Sequence, residues 1–196
     1  MMANGAEKIV QLKAVAQAHL GYPFRGAVKA IPKGEVAVVQ IKNADPERGV
    51  DWPSVVRTEL AGRKQPDWLQ PGDVLFAARG NRNVAIHLDT VPDSAVCAPQ
   101  FYLLRVKGDR IIPAYLAWYI NQLPAQRYFA QSAEGTLVTS IRRAVLEALP
   151  VPLPSLERQQ LIVKLGDAFR REKLLTEKLL LNREQQLRLV ATGLME

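Results

Sequence analysis

The sequence predicts an α+β fold, in which one strand-rich mixed domain with short helices is followed by a long C-terminal α-helix. Three observations support this class. After residue 17, short β-branched segments separated by turn residues fill the chain as far as Val106, and further helical patterns begin at Pro113. The last segment, from Ser155 to Thr192, has no proline and carries leucines at helical spacing. Strands followed by helices are typical of α+β domains.

The chain is long enough for one domain with a proper core and an appendage, since 48% of its 196 residues are hydrophobic. We expect the domain to span residues 1–149 and the appendage to span residues 150–196.

No charge-free apolar run reaches the ~18–20 residues that a membrane-spanning helix needs. Cys97 is the single cysteine, which fits a reducing compartment and a small buried core residue. With no apolar stretch of a secretory signal at the N-terminus, a cytoplasmic protein is expected.

The charge balance points to a nucleic-acid partner. Lys and Arg number 26 against 19 Asp and Glu, which gives a net charge of +7. Most of this excess lies before Ser155. Basic side chains that neutralise phosphates release counterions from DNA or RNA, and this is the usual use of such an excess.

Several β-strands are predicted in the first part of the chain. Residues 6–17 have helical periodicity, with a strand over 8–12 as the competing interpretation. The turn at residues 79–83 is rich in Gly and Asn and suits a hairpin. Strands are predicted at residues 35–42, 54–60, 74–78, 84–88, 95–98 and 100–106.

Helices are predicted after these strands. Pro113 starts a helix that runs to residue 123, and Pro124 starts another that ends near residue 131. Residues 135–140 are predicted to be extended, and residues 141–149 form a short helix. Pro150, Pro152 and Pro154 then alternate with apolar residues. Because proline fixes φ and removes a backbone donor, this segment is predicted to be a polyproline-like strut rather than a strand or helix.

The last helix should be long and only partly covered. Ser155 is a good N-cap, and Glu157 suits the positive end of the helix. A helix from there to Thr192 would be roughly 55 Å long, too long to bury its apolar face on so small a domain. Pairing with another helix is therefore favoured, and folding back against its own domain is the alternative. The residues expected at the pairing surface are Leu161, Leu165, Phe169, Leu175, Leu179 and Leu187.

DNA contacts are expected from turns that combine basic residues with amides or hydroxyls, because these side chains bind phosphates and base edges. Two segments are the strongest candidates, and an ordinary solvated turn or cap is the alternative for each. In the second segment, a helix start could hold a phosphate. The candidates are Arg79, Asn81, Arg82 and Asn83 in the first segment and Thr139, Ser140, Arg142 and Arg143 in the second.

Further candidates are weaker. Arg25 and Lys29 lie near the aromatic residues of a turn. Additional cations follow at Arg57, Arg63 and Lys64. Trp52, Trp68 and Trp118 are expected in the core rather than as platforms that stack on bases.

The sequence lacks the motifs of several enzyme classes. It has no glycine-rich phosphate loop, no dinucleotide-binding motif and no Cys/His cluster at zinc spacing. The common patterns of metal-dependent nucleases and amino-methyltransferases are also absent. His87 lies between two apolar residues and is expected to be structural. A non-catalytic protein without cofactor or metal is therefore expected.

Three segments together resemble one protein family. Residues 135–159 resemble the end of a target-recognition domain in the specificity (S) subunits of type I restriction–modification systems. Residues 21–25 and 71–80 are similar to the N-terminal turn and the Gly-Asp-Ile/Val-Leu strand of that family. The segments occur in the family's order. Ser155 departs from the pattern, since a second proline is common there.

The resemblance implies a DNA sequence-specificity subunit without catalysis of its own. It implies a half-length form with one recognition domain and one spacer helix, which pairs as a homodimer through coiled-coil helices. Methyltransferase (modification) subunits, and in a complete system a restriction (motor–nuclease) subunit, would assemble on it at a split double-stranded DNA site. The residue pattern leaves the target bases and the pairing geometry of the helices open, and the resemblance implies an antiparallel pair. The alternative is a non-catalytic adaptor that docks partners through its long helix. An enzyme with an unrecognised site has less support.

Overall fold

The computed structural model describes residues 8–60, 65–80, 82–132 and 139–194. The chain divides into two compact units, and the boundary falls between Gln160 and Leu161. In the first unit, strands precede short helices, and a helix of 38 residues ends the described chain. The predicted α+β class is therefore confirmed.

The strands of the described residues are β1 (Lys8–Gln11), β2 (Ala16–Leu20), β3 (Val36–Val39), β4 (Ala44–Asp45), β5 (Gly49–Val50), β6 (Val56–Thr58), β7 (Val74–Ala77), β8 (Arg79–Gly80), β9 (Ala85–His87), β10 (Ala95–Cys97), β11 (Phe101–Val106), β12 (Thr139–Ser140) and β13 (Pro150–Leu153). The helices are α1 (Pro113–Ile120), α2 (Leu123–Ser132), α3 (Arg143–Glu147) and α4 (Leu156–Gly193). Short 3-10 turns lie at Leu12–Ala14, Ile41–Asn43 and Trp52–Ser54.

The largest sheet is antiparallel, with the strand order β2–β11–β7–β9. All four residues of β7 are buried, as predicted for an apolar segment in the middle of a sheet. Leu75 is opposite Leu103 on one neighbour and Ile86 on the other. These side chains pack with Phe101 in the main core, so the core is centred on β7.

A second sheet has the order β10–β3–β6, in which β3 and β10 are parallel. The turn after β2 joins the two sheets. Gly21 N donates to Phe101 O at 3.1 Å, and Tyr22 N donates to Cys97 O at 2.8 Å. A Cβ at Gly21 would lie 2.1 Å from Ala98 O, so only glycine allows this approach of the two backbones.

The helix predicted over residues 6–17 is wrong, and the competing strand is present. β1 pairs antiparallel with β13, and Val10 is opposite Val151. Leu12 follows β1 and is fully buried. Backbone pairing with a segment far away in sequence therefore overrides the local helical periodicity.

The proline-rich segment is a strand rather than a polyproline-like strut. In an antiparallel pair, alternate residues direct their N–H and C=O groups to the partner strand. Val151 occupies such a position, so Pro150 and Pro152 face away from β1, where no ladder donor is lost. Their outward carbonyls are also satisfied, because Tyr119 Oη donates to Pro150 O at 2.8 Å and Tyr115 Oη donates to Pro152 O at 3.0 Å.

The start of α4 is fixed by two side chains. Arg158 N donates to Ser155 Oγ at 3.3 Å, which confirms the predicted N-cap. The fully buried Gln159 accepts from Ile112 N at 2.9 Å. Its amide also donates to Pro154 O at 2.9 Å and to Arg110 O at 3.0 Å. One amide therefore joins the first turn of α4 to β13 and to the segment before α1.

Replacing Gln159 with Ala should destabilise the first unit by about 2 kcal/mol or more, because one buried donor and two acceptors lose their partner. Urea unfolding of the whole chain measures this effect. Gln160→Ala is the matched control, since the neighbouring amide is exposed and its loss should change the unfolding free energy by no more than about 0.5 kcal/mol. Equal effects of the two substitutions would contradict the assigned role of Gln159.

Candidate nucleic-acid interface

The first candidate segment is a turn that extends the largest sheet. After β7, Ala78 N donates to Gln100 O at 2.9 Å, and the chain continues into β8. Gly80 has φ 134°, a backbone conformation that strongly favours glycine. Arg79 and Arg82 are exposed on this turn, and Asn81 lies outside the described residues. We call residues 79–83 the basic turn.

Pairing of β8 with β12 brings the two strongest candidate segments together. Gly80 is opposite Thr139, and Arg79 is opposite Ser140. The ladder continues where Ile141 N donates to Ala78 O at 2.9 Å. Segments that lie far apart in sequence are therefore adjacent in the structure. This two-stranded ribbon, with the residues that flank it, is the candidate nucleic-acid interface.

The expected helix start at the second segment is displaced. Thr139 and Ser140 are in the extended conformation predicted for them, because their backbone pairs with β8. The N-cap of α3 is Arg142, without a side-chain hydrogen bond at the cap. The helix therefore starts at Arg142 and Arg143, within the predicted segment but after its two hydroxyl residues, and phosphate binding by this segment stays a prediction.

The basic residues of the interface differ in their surroundings. Arg79, Arg82 and Arg142 are exposed. Arg143 Nε donates to Glu147 Oε1 at 2.7 Å, one turn further along α3. This exposed ion pair partly offsets the charge of Arg143, so Arg79 and Arg82 are the stronger candidates for phosphate contact.

Asn83 has a different role from the other residues of the basic turn. Its Nδ2 donates to Ala77 O at 3.0 Å, so the amide group stabilises the turn itself. A second bond closes the base of the turn, where Ala77 N donates to Val84 O at 2.8 Å. Asn83 therefore holds the conformation that presents its two arginine neighbours.

Two amides outside the predicted site residues fix the return strand. Asn121, at the end of α1, accepts from Ala85 N at 2.9 Å and donates to Ala85 O at 2.8 Å. Gln126 Nε2 donates to Asn83 O at 2.8 Å and to Ile120 O at 2.7 Å. The Asn121 amide thus substitutes for a neighbouring strand on the open edge of β9. The only signal of this role in the sequence is the presence of amide residues at the junction of two helices. It does not reveal their partners, which lie 36 and 43 positions earlier in the sequence.

A groove of about 360 Å³ adjoins the basic turn. Its lining includes Ile41, Pro46, Arg82 and Val84. Asp45 is also at the groove, and its Oδ1 accepts from Glu47 N and Arg48 N at 2.8 Å. The groove thus provides apolar contact beside an exposed guanidinium.

The weaker candidates lie elsewhere in the fold. Arg25 and Lys29 are exposed in the loop between β2 and β3. Nearby, the ring of Phe24 packs edge-on against that of the buried Tyr22 at 5.0 Å. Arg57 has a structural role, because its guanidinium donates to Gly34 O at 3.0 Å and Glu35 O at 2.6 Å. Arg63 and Lys64 lie outside the described residues.

The tryptophans only partly follow the expectation of core positions. Trp52 packs against the main core, and Trp118 stacks on Tyr115 with ring centroids 5.8 Å apart. Trp68 is 40% exposed, so the expectation is wrong for this residue. Its carbonyl accepts from Arg105 Nη2 at 2.9 Å, which keeps the backbone rather than the ring attached to the domain.

Arg105 also makes the clearest ion pair of the domain. It contacts the buried Asp73 through two bonds, Nε to Oδ1 at 2.8 Å and Nη2 to Oδ2 at 2.7 Å. Asp73 Oδ2 accepts from Gln70 N at 2.7 Å as well. The hydrogen bonds to Asp73 raise the pKa of Arg105. The pair connects β11 to the turn before β7 and is therefore structural.

Among the described residues, no three His, Cys, Asp or Glu side chains are grouped so that they could hold a metal ion. His87 Nδ1 lies 3.0 Å from Asp89 Oδ1, and His19 Nδ1 lies 3.0 Å from Asp67 Oδ1. In this part of the chain, no helix combines the length and apolar character required to cross a membrane.

No protein-family model and no curated protein matches the chain, but solved structures do. The type I restriction–modification S subunit from M. genitalium superposes with a TM-score of 0.60 at 15% identity, over 94% of this chain and 45% of that one. The HsdS subunit from Thermoanaerobacter tengcongensis superposes with a TM-score of 0.62 at 17% identity, over 90% of this chain and 42% of that one. A chain from a structure that describes complex assembly and conformational transition of the type I R-M system superposes with a TM-score of 0.67 at 17% identity. The match covers 96% of this chain and 44% of that one.

These comparisons define the class of fold. The chain has the fold of a type I restriction–modification S subunit, a strand-rich domain followed by a long helix. The fold that the resemblance implied is therefore confirmed. The chain spans less than half the length of each of these solved structures.

Asn121→Ala should loosen the return strand of the basic turn. Both polar backbone groups of Ala85 would lose their partner, which should cost about 1–3 kcal/mol. The Ala85 amide should then exchange with deuterium faster than the amides in the middle of β7. Gln122→Ala is the matched control, because the amide of Gln122, between α1 and α2, donates to Trp118 O at 2.8 Å and not to Ala85. Unchanged exchange at Ala85 in the Asn121 variant would contradict this role.

Proposed function

We propose that the chain is a sequence-specific DNA-recognition subunit of a type I restriction–modification system and has no catalysis of its own. One observation carries the proposal beyond the likeness of fold. The pairing of β8 with β12 unites two segments rich in Arg, Asn, Ser and Thr at one place on a basic domain. Arginines supply the phosphate contacts that position a protein on duplex DNA, and arginine or asparagine forks recognise base edges in the major groove.

Within this interface the side chains have separate tasks. Arg79 and Arg82 bind phosphates or guanine edges, and Ser140 and Arg142 add contacts from the adjoining strand and helix cap. Asn83, Asn121 and Gln126 hold the turn in place. A turn with its backbone bonded from several sides presents its arginines in one arrangement, and such preorganisation lowers the entropic cost of binding.

The proposal extends to the assembly. The first unit recognises one half of a split site, and α4 brings a second recognition domain to a fixed distance. Methyltransferase subunits bind to this pair, and a restriction subunit completes the system where one exists. The exposed apolar side chains of α4 support a role in assembly. They include Leu161, Leu165, Phe169, Leu175, Leu179 and Leu187, each at least 53% exposed.

Selection of bound duplexes from a random-sequence pool, with the methyltransferase partner present, tests the recognition role. Two inverted half-motifs at a fixed gap are expected, because the symmetry of a two-fold dimer is mirrored in its DNA site. A single half-motif would support recognition and exclude the dimer. No enrichment by the folded complex would overturn DNA recognition.

Replacing Arg79 and Arg82 together with Ala should weaken DNA binding and reduce its dependence on salt. If each arginine neutralises one phosphate, the slope of log K against log salt should decrease by about 1.8. Fluorescence anisotropy at several salt concentrations measures the slope. The control is Lys33→Ala. Lys33 is exposed before the start of β3, whereas the groove lies at the end of that strand, so its loss should leave the slope nearly unchanged. An unaltered slope in the double arginine variant would contradict the assignment.

The exposed apolar face of α4 also favours a second candidate function, an adaptor that docks partners through its helix. The same binding experiment separates the two functions. In an adaptor, substitution of Arg79, Arg82, Arg142 and Arg143 by Ala should have no effect on partner binding, and the folded protein should show no sequence preference on DNA.

A further inference from the structure

Two short β-ribbons contribute to the lining of the groove beside the basic turn. The β8–β12 ribbon contributes Gly80. The other ribbon is formed by β4 and β5, where Ala44 is opposite Val50 and Asp45 is opposite Gly49, and both residues of β4 line the groove. The major groove of B-DNA is about 12 Å wide and admits a two-stranded ribbon. The groove therefore lies where two elements of a suitable size meet.

The lining of the groove is mostly apolar. Ala77, Ile86 and Phe101 line it, are at most 3% exposed and also belong to the main core. Ile41 and Val84 line it as well but are accessible to solvent. The groove thus has a floor of core side chains and a rim that solvent reaches. Concave apolar surface with a few polar groups is typical of a binding site.

Among the described residues, two charged side chains line the groove, and their signs are opposite. Arg82 supplies a cation from the basic turn, and Asp45 supplies an anion from β4. A phosphate group would be repelled by the carboxylate and would lose water over the apolar floor. The edges of bases instead combine a methyl group, amino donors and carbonyl acceptors. This mixture of groups therefore fits base edges better than the DNA backbone.

The carboxylate of Asp45 is held by its own turn. Oδ1 accepts from Glu47 N and from Arg48 N, both at 2.8 Å. Because both bonds use the same oxygen, Oδ2 remains available as an acceptor. An acceptor in a fixed position selects an exocyclic amino group, N4 of cytosine or N6 of adenine, over the carbonyl oxygens of guanine and thymine.

Asn43 fixes the β4–β5 ribbon at its base. Its side chain is buried, and Nδ2 donates to Ser54 O at 3.1 Å and to Ser54 Oγ at 3.0 Å. Asp51 N donates to the backbone oxygen of Asn43 at 2.9 Å. The ribbon is therefore bonded to the domain before any ligand binds, and such preorganisation lowers the entropic cost of recognition.

Thymine presents the only methyl group among the four bases in the major groove. We propose that the groove reads base edges of duplex DNA, with the 5-methyl group of a thymine against Ile41, Pro46 and Val84 and an exocyclic amino group bonded to Asp45 Oδ2. The inference rests on the proposed function and deepens it by naming the chemical groups that are read. An extruded base is disfavoured, because the aromatic ring of the lining, Phe101, is fully buried and offers no face for stacking.

Removal of single methyl groups from the DNA tests the apolar contact. Deoxyuridine replaces each thymine of the selected half-motif in turn, which removes the methyl group and retains base pairing. At one thymine or more, the wild-type chain, in the complex used for the selection, should bind at least about threefold more weakly, the loss expected for one buried methyl group. Fluorescence anisotropy measures each affinity.

Ile41→Ala shows whether the groove is the site of this effect. Ile41 is 39% exposed, so its truncation should retain the fold, which circular dichroism checks. The ratio of the affinities for thymine and deoxyuridine should fall at least about twofold in this variant. Ile9→Ala is the matched control and should keep the wild-type ratio, because Ile9 is 66% exposed on β1 and does not line the groove. A wild-type ratio in the Ile41 variant would overturn the proposal.

Asp45→Asn tests the polar contact. Asparagine also has an Oδ1 that accepts from Glu47 N and Arg48 N, so the turn is retained, and a donor, Nδ2, then takes the place of Oδ2. Repeated selection should show, at one position of the half-motif, a preference for cytosine or adenine that is at least about fivefold lower. A purely structural Asp45 would leave the motif unchanged, and that result would overturn its assignment.

Negative results of these experiments have different meanings. A folded complex that enriches no motif would overturn the proposed function and the role of the groove together. An enriched half-motif in which no thymine responds to deoxyuridine would overturn only the role of the groove, and DNA recognition by the domain would stand.

Discussion

The first unit depends on the pairing of β1 with β13, which joins the beginning of the described chain to the segment before the long helix. This pairing is possible because the two prolines within β13 occupy alternate positions. Their rings lie on the side without ladder donors, and two tyrosines of α1 satisfy the carbonyls there. Gln159 extends the same junction into α4 through three hydrogen bonds of its buried side chain. Loss of the Gln159 amide would leave one backbone donor and two carbonyls of this junction without their partner.

The candidate interface is built by the same means, through backbone pairing between distant segments. β8 is only two residues long, yet its pairing with β12 places the basic turn beside the cap of α3. Amide side chains supply the remaining bonds, because β9 is the edge strand of its sheet in the part of the chain that the structure describes. The arginines can remain exposed since the turn is held by its backbone. An interface for a polyanion needs this separation, in which uncharged groups provide the structure and charged groups remain available to the ligand.

The long helix meets a different requirement. A row of leucines that is exposed to water favours aggregation unless another surface covers it. In α4, Leu161, Leu165, Leu175, Leu179 and Leu187 are each more than half exposed, so a covering surface is expected for this helix.

Some of this could be predicted from the sequence alone. The buried strand β7, the hairpin turn after it, the two short helices and the cap of α4 follow from local composition, since each depends on neighbouring residues and on turn or cap chemistry. The exposed leucines of α4 follow from helical spacing and length. The strand at Lys8–Gln11, the strand character of the proline segment and the exposure of Trp68 were decided by the tertiary structure. The tertiary structure also decided that the basic turn lies beside Ser140 and Arg142, and which amides hold the turn in place. These features depend on hydrogen bonds between residues far apart in sequence, which local periodicity does not encode.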